Sequence, residues 1–329
     1  DPAAAGERVR EALAKYDLWR PEWAARLRAE PADLTAPRLG LSQARWDALA
    51  LEVEAILHCG ALVHFAQPYE ALRAANVDGT LELLRLAGAV RRKRFDFIST
   101  KGVFSASAYP GDETIAEDDA VRRPSADTLS YQRSKWAAER LCWAAGARGL
   151  DVAIYRPGRI GGHSRSGQQN PDDLLCRFLI GCAQLGALPD IDVPVEVTPV
   201  DHVAATVARI AAAPGTCGRA YHLVHTAPLD PLGVRRALAA CGLEVAVVGW
   251  RRWREQLFTQ PTNALTPLRG LFTAEPPPRV HEGRLATANT LAADPRWSPP
   301  PVAEQLAVNL DYLRRAGLLA HDARGGADR

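Results

Sequence analysis

Between residues 55 and 156, short apolar runs alternate with amphipathic stretches, and this alternation limits the folds open to the chain more than any other feature. AILHCGALVHF (55–65) is an apolar run broken by one glycine, the pattern of a buried strand entering a tight turn. LRAANVDGTLELLRLAGA (72–89) has a helical rhythm, and FDFIST (95–100) is a second short strand. A loop rich in Gly, Pro, Asp and Glu runs to about residue 125, and a helix over 129–147 is broken by Gly149. DVAIYR (151–156) is a third strand, stopped by Pro157 and Gly158. Strand, helix, strand, helix, strand is the cadence of a parallel sheet with helices on its faces.

The cadence continues and then decays. A helix is predicted over 171–186, acidic at its start and closed by a glycine, with another over 200–212 and a strand at 220–224. Beyond 225, VRRALAACG (234–242), the short strand VAVV (245–248), GWRRWREQL (249–257) and a terminal helix (302–316) suggest a smaller helical lobe. Proline-rich stretches at 274–279 and 295–301 read as surface crossings. Upstream, Val9, Leu13, Tyr16, Leu18, Trp23 and Leu27 give residues 7–29 a helical rhythm that Pro31 ends. The 329 residues suffice for a main domain and a lobe.

Forty basic against thirty-eight acidic residues leave no dedicated nucleic-acid surface, and Arg91–Arg94 reads as a solvated helix end. Six cysteines without CxxC spacing point to reduced, mostly buried thiols in a cytoplasmic protein. Eight histidines without HExxH grouping predict no metal site. No run approaches the roughly 18–20 apolar residues of a membrane span. The absence of methionine marks the chain as a processed product or a piece of a longer one.

Ligands of parallel sheets bind beside the C-terminal strand ends, where HCGAL, the end of FDFIST and RPGRIGG (156–162) fall. Tyr131 and Lys135 lie one helical turn apart and share a face. A nearby ammonium favours the phenolate, so Lys135 is expected to lower the Tyr131 pKa and make it a better acid near neutrality. Thr100, at a strand end, supplies a hydroxyl to the same substrate oxygen. Acid, charge partner and oxyanion donor suit hydride transfer to a carbonyl. Taken singly, Tyr131 reads as a half-buried aromatic and Lys135 as a surface base; their joint placement with Thr100 favours catalysis.

Over nearly its whole length, weakening after about 260, the chain resembles the extended short-chain dehydrogenase/reductase superfamily. Within it, the chain is similar to the terminal thioester reductase domains of nonribosomal peptide synthetases, polyketide hybrids and carboxylic acid or aminoadipate reductases. DLTAPRLGLS (33–42), ILHCGALVHF (56–65), LRAANVDGTLELL (72–84), FISTKGVF (97–104), YQRSKWAAERL (131–141), YRPGRIGG (155–162), residues 170–204 and YHLV (221–224) carry the resemblance.

It implies a Rossmann-type α/β fold, a doubly wound parallel sheet with a smaller, mainly helical C-terminal substrate lobe. Residues 1–165 form the nucleotide-binding domain and 190–225 return to it; 166–189 and 226–329 form the substrate and pantetheine lobe. It implies catalytic roles for Thr100, Tyr131 and Lys135. The same resemblance assigns NADPH as cofactor, with Asp33 at the adenine, Gly60 and Ala61 at the close backbone approach, and Asn76 steadying water or backbone. Tyr131, Lys135, Pro157 and Gly158 then lie at the nicotinamide end. In residue terms alone, Asn76 also serves as a helix cap, Gly60 as a turn and Asp33 as a strand end. Two residues depart from the pattern: His64 stands where the family has asparagine, and His202 where it commonly has an aromatic.

The implied activity is reductive release of a carrier-bound acyl or peptidyl thioester to an aldehyde, or further to an alcohol. The implied partner is a phosphopantetheinylated carrier protein upstream in the same polypeptide, with the reductase a monomeric domain. The family's first strand and its glycine-rich loop are absent from the chain, so an upstream segment is expected to supply them. The alternatives are a nucleotide-sugar epimerase or dehydratase, a redox-silent cyclising release domain, and a non-catalytic scaffold.

Overall fold

The computed structural model describes residues 1–104, 108–109, 113–125, 128–191, 194–273 and 284–319. The first helix, α1 (Pro2–Lys15), starts under the Asp1 carboxylate, which accepts the Ala3 N–H at 2.7 Å. The helix expected over 7–29 stops at Lys15. Asp17 turns left-handed (φ 56°), and Pro21, with no N–H to give, opens a single 3-10 turn, Pro21–Trp23. Val9, Leu18, Trp23 and Leu27 are exposed, so that apolar rhythm does not mark a core face.

After α2 (Gln43–Glu52) comes β1 (Ala55–His58), four residues of the longer run expected there. The helix expected over 72–89 runs from Tyr69 to Gly88 in three pieces: α3 (Tyr69–Arg73), a π-turn (Ala74–Asp78) and α4 (Gly79–Gly88). Next are β2 (Arg94–Ile98), β3 (Thr114–Ile115), α5 (Ser130–Gly146), β4 (Val152–Pro157) and β5 (Ile160–Gly161). The Arg91–Arg94 run is not a solvated end throughout. Lys93 is buried with its ammonium on the Ala89 and Arg91 carbonyls, and Arg94 opens β2 paired with Asp96 at 2.8 Å.

α6 (Leu174–Leu185) is capped by Asp173 and ended by left-handed Gly186 (φ 62°). It is followed by β6 (Ala187–Asp190), β7 (Thr198–Pro199), α7 (Val200–Ala212) and β8 (Arg219–Leu223). The remainder is α8 (Pro231–Ala240), β9 (Ala246–Gly249), α9 (Trp250–Thr259), β10 (Arg284–Leu285), α10 (Ala288–Ala293) and α11 (Val302–Arg315). The crossing expected at 274–279 lies outside the described residues.

The main sheet has the order β1-β2-β4-β8, all parallel, as the cadence predicts. Central β4 is buried at every position, and its alternation serves both faces. Val152 and Ile154 pack with Phe95, Phe97 and Ala220 against Leu84 and Ala87 of α4 and Ala138 and Cys142 of α5. Ala153 and Tyr155 face the other way, with Tyr221 and Leu223, against Val203, Val207 and Ile210 of α7. Each large apolar side chain so buried contributes about 1.5–3 kcal/mol. β1 is an edge strand among the described residues, with Leu57 exposed.

The C-terminal lobe is mainly helical and has its own core, joining α6, α8, α9 and α11 around Leu179, Leu238, Trp253, Leu306 and Leu310. Val195 and Val197, from the stretch expected to return to the nucleotide-binding domain, belong to this cluster. Small parallel pairs β5·β7 and β6·β9 stitch its rim, and β3·β10 ties the loop after β2 to residues preceding α10.

Candidate active site

The C-terminal end of β2 runs straight into the site. Thr100 is extended (φ −159°) and caps the 3-10 turn Lys101–Val103, its Oγ1 accepting the Gly102 N–H at 3.1 Å. α5 packs on this turn. A side chain on Gly102 would meet Gln132 at 3.1 Å and Thr100 Oγ1 at 3.4 Å, so the turn that Thr100 caps lies against the first turn of α5. That turn carries Tyr131, whose ring meets Phe65 edge-on at 5.9 Å.

Lys135, one turn on, is buried. Its Nζ donates to the Ile98 carbonyl at 2.7 Å and lies 4.1 Å from the Phe97 ring centroid. The structure therefore brings Thr100, Tyr131 and Lys135 to one strand–helix corner. The expected electrostatics are corrected: the Tyr131 pKa does not fall. Burial pushes it up to about 12, and burial pulls Lys135 down to about 8. In the free protein the phenol is thus firmly protonated, and the lysine sits near its titration point.

Behind the corner lies a relay that the sequence did not reveal. Asn76, in the π-turn, accepts the Leu62 N–H at 2.7 Å and donates to the Leu62 carbonyl and to Ser134 Oγ, both at 3.0 Å. Ser134 in turn donates to the Tyr131 carbonyl at 2.7 Å. Thr80 donates to the Asn76 carbonyl at 2.7 Å and receives His58 Nε2–H at 3.0 Å. Burial and the Lys135 charge hold His58 down near 4, so its ring is neutral and the donor assignment is consistent. Asn76 therefore steadies backbone, that of the 59–63 loop. The signal lay inside quoted motifs, since Thr80 ends NVDGT and Ser134 precedes Lys135, but nothing local said that they meet.

Gly60 and Gly79 approach Leu34 closely; a Cβ on Gly60 would lie 2.9 Å from Leu34 Cδ1, and one on Gly79 2.6 Å from the Leu34 carbonyl. This sets Asp33 beside the β1 end. Its carboxylate is exposed and accepts the Thr35 N–H and hydroxyl at 2.8 and 2.7 Å, which holds its pKa below the usual range. His64 Nδ1 accepts the Ala66 and Gln67 N–H groups, a loop-capping role that an asparagine oxygen can also fill. His202, at the start of α7, is half-buried beside Asp201, whose carboxylate holds Ser164.

Pro157 ends β4, next to β2 in the sheet, and Gly158 follows it. A Cβ on Gly158 would overlap the Glu196 carboxylate, which pairs with Lys101. Below, buried Arg156 and Glu139 pair at 2.6 Å, and Glu139 also receives the Ser99 hydroxyl at 2.6 Å.

The donor set fits a dinucleotide. The Lys135 ammonium spends one hydrogen bond on Ile98 among the described residues, which leaves further N–H groups able to meet a ligand's hydroxyls. Cys59, Gly60, Leu62 and Val63 are exposed at the C-terminal end of β1, where parallel sheets receive such ligands.

Residues 1–207 match the NAD-binding family described as Male sterility protein. The terminal R domain from the myxalamid PKS-NRPS biosynthetic pathway superposes with a TM-score of 0.91 at 35% identity, covering 98% of this chain and 83% of that one. The L-2-aminoadipate reductase large subunit of Penicillium chrysogenum is 34% identical over 98% of this chain and 25% of its own length. A linear gramicidin synthase polypeptide of Brevibacillus parabrevis is 35% identical over 95% of this chain and 6% of its own. The chain thus spans a quarter or less of these two curated relatives.

Proposed function

Because this chain belongs to the NAD(P)-binding family of terminal reductase (R) domains, we propose that it reductively releases an acyl or peptidyl thioester held on a phosphopantetheinylated carrier protein. The products are an aldehyde, the free carrier thiol and NADP⁺, from thioester, NADPH and one proton. A second round on the aldehyde gives the alcohol. The observation that carries this reading is the convergence of Thr100, Tyr131 and Lys135 at the end of β2.

When bound, NADPH supplies the hydride. Asp33 would meet the adenine end, Gly60 and Ala61 would offer close backbone, and Pro157 and Gly158 would border the nicotinamide. Lys135 would hold the ribose through N–H groups that Ile98 does not engage. Thr100 directs its hydroxyl hydrogen at the thioester oxygen while Oγ1 accepts from Gly102, so the donor is oriented before charge develops. Tyr131, protonated through burial, gives a second hydrogen bond to that oxygen and then its proton. Collapse of the resulting hemithioacetal expels the thiolate, which takes up the hydroxyl proton, and one proton from solvent restores the Tyr131 phenol.

The carrier is placed in the same polypeptide, with the reductase acting as a monomeric domain in the reducing cytoplasm; six free cysteines support that compartment. Among the described residues no helix is long and apolar enough to cross a membrane. The lobe built on α6, α8, α9 and α11 is assigned the acyl chain and pantetheine arm. The test is incubation with an acyl-pantetheine thioester and NADPH, following NADPH oxidation together with aldehyde and thiol. One thiol per thioester is expected, with one NADPH oxidised where the aldehyde accumulates and two where it is carried on to the alcohol; a thioester that persists while NADPH is present overturns the proposal.

A further inference from the structure

We propose that Lys101 and Glu196 form a positioning pair that locks the turn carrying Thr100 to the strand end carrying Gly158 and to the C-terminal lobe. The pairing itself is independent of the proposed activity; its effect on turnover rests on that reading.

Glu196 lies in an extended segment between Val195 and Val197, both of which enter the lobe core. Alternation turns its side chain the other way, out of the lobe and onto the main sheet. There the carboxylate is only 3% exposed. One oxygen accepts the His225 N–H at 2.9 Å, just past β8, and the other is paired with the Lys101 ammonium. The same carboxylate packs so closely on Gly158 that a methyl group there would overlap it. One buried anion therefore touches the ends of three sheet segments, after β2, β4 and β8, while its flanking valines anchor it in the lobe.

Lys101 follows Thr100 directly and is the first residue of the turn that Thr100 caps. Fixing its ammonium restricts that turn, and with it the direction of the Thr100 hydroxyl. Oxyanion donors act through orientation, and a displacement of about 1 Å costs on the order of 100-fold in rate. Neither Lys101 nor Glu196 needs to touch the thioester for this effect. The pair is built from residues 95 apart in sequence, so the turn is set only when lobe and sheet are docked.

The experiment compares wild type with Lys101→Met, Lys101→Arg, Glu196→Gln and the Lys101→Met/Glu196→Gln double variant on the full chain. Three readouts are taken: kcat and KM with an acyl-pantetheine thioester, NADPH affinity by fluorescence without substrate, and melting temperature. Lys101→Met and Glu196→Gln are each expected to lower kcat by roughly 10- to 100-fold while KM and NADPH affinity change less than about threefold. Lys101→Arg restores most of kcat, and the double variant is no worse than the poorer single one. Unchanged kcat in Lys101→Met, additive losses in the double variant, or a loss that tracks NADPH affinity overturns the proposal. Glu196→Gln keeps the His225 acceptor and serves if Lys101→Met does not fold. Should wild type turn over no thioester, the proposed activity fails on its own; the pair is then judged by the melting temperatures, where non-additive shifts support it and additive shifts overturn it.

Discussion

The side chains of Asn76 and Ser134 meet at 3.0 Å and tie the π-turn to the helix that carries Tyr131. Ser134 has no access to solvent, and its hydroxyl continues to the Tyr131 carbonyl. Ser134→Ala removes one donor–acceptor group but leaves Asn76 its two bonds to Leu62. A stability loss of about 1 kcal/mol in urea unfolding is expected. Asn76→Ala strands both backbone groups of Leu62 as well, and a larger loss of about 2–3 kcal/mol follows. Equal losses in the two variants contradict the relay.

Tyr131→Phe removes the proposed proton donor and leaves the relay intact, since the relay reaches Tyr131 through its backbone carbonyl. Turnover is expected to fall by roughly 10²–10⁴-fold, with the melting temperature unchanged. Thr100→Ala, which removes the proposed oxyanion donor and the cap on Gly102, is expected to cost about 10²-fold, and Thr100→Ser to recover most of it. Single-turnover rates at saturating NADPH separate these effects from binding.

Lys135 has a pH signature. Its pKa is near 8 in the free protein, against 10.5 for an ordinary lysine, because burial penalises the ammonium. The unfolded chain therefore holds this proton between about pH 8 and 10.5 while the folded chain has lost it, and the cost of burying the charge is relieved over that window. Relative to Lys135→Met, the stability of wild type is expected to rise as pH climbs from 8 to 10.5 and to stay level below 8. With Lys135 as the proposed ribose ligand, NADPH affinity is expected to move oppositely, weakening above pH 8 as the ammonium loses its charge. Paired urea titrations and fluorescence binding across pH 7–10.5 check both arms.

Much of this fold was legible because its signals are local. Asp173 and Gly186 mark the two ends of α6, and the range predicted for α7 is the one observed. Tyr131 and Lys135 were legible for the same reason, as they sit on one helix face. The helix expected over 7–29 stopped at Lys15 because Asp17 turns left-handed, and Pro21 then opens only a single 3-10 turn. The direction of the Tyr131 shift also failed: spacing showed an ammonium four residues away, whereas the burial that governs the pKa is a property of the assembled corner. Asn76 with Ser134, Lys101 with Glu196 and Glu139 with Arg156 are contacts across different elements, formed only when the sheet and its helices close. No periodicity announces such pairs.

The two glycines against Leu34 give the last prediction, because they differ in what a methyl group would strike. At Gly60 the obstacle is Leu34 Cδ1, 2.9 Å away, the tip of a side chain that can rotate. At Gly79 it is the Leu34 backbone carbonyl at 2.6 Å, which cannot move without dragging the Asp33 loop. That loop is also pinned to α4 by the Arg38 N–H donating to Glu82 at 2.7 Å. Gly60→Ala is therefore expected to cost about 1 kcal/mol and to be relieved by Leu34→Val. Gly79→Ala costs about 1–3 kcal/mol, is not relieved by Leu34→Val, and weakens NADPH binding as the Asp33 loop shifts. Urea unfolding of the four variants, with NADPH titrations on the folded ones, distinguishes a side-chain clash from a backbone one; equal rescue at both positions contradicts the assignment.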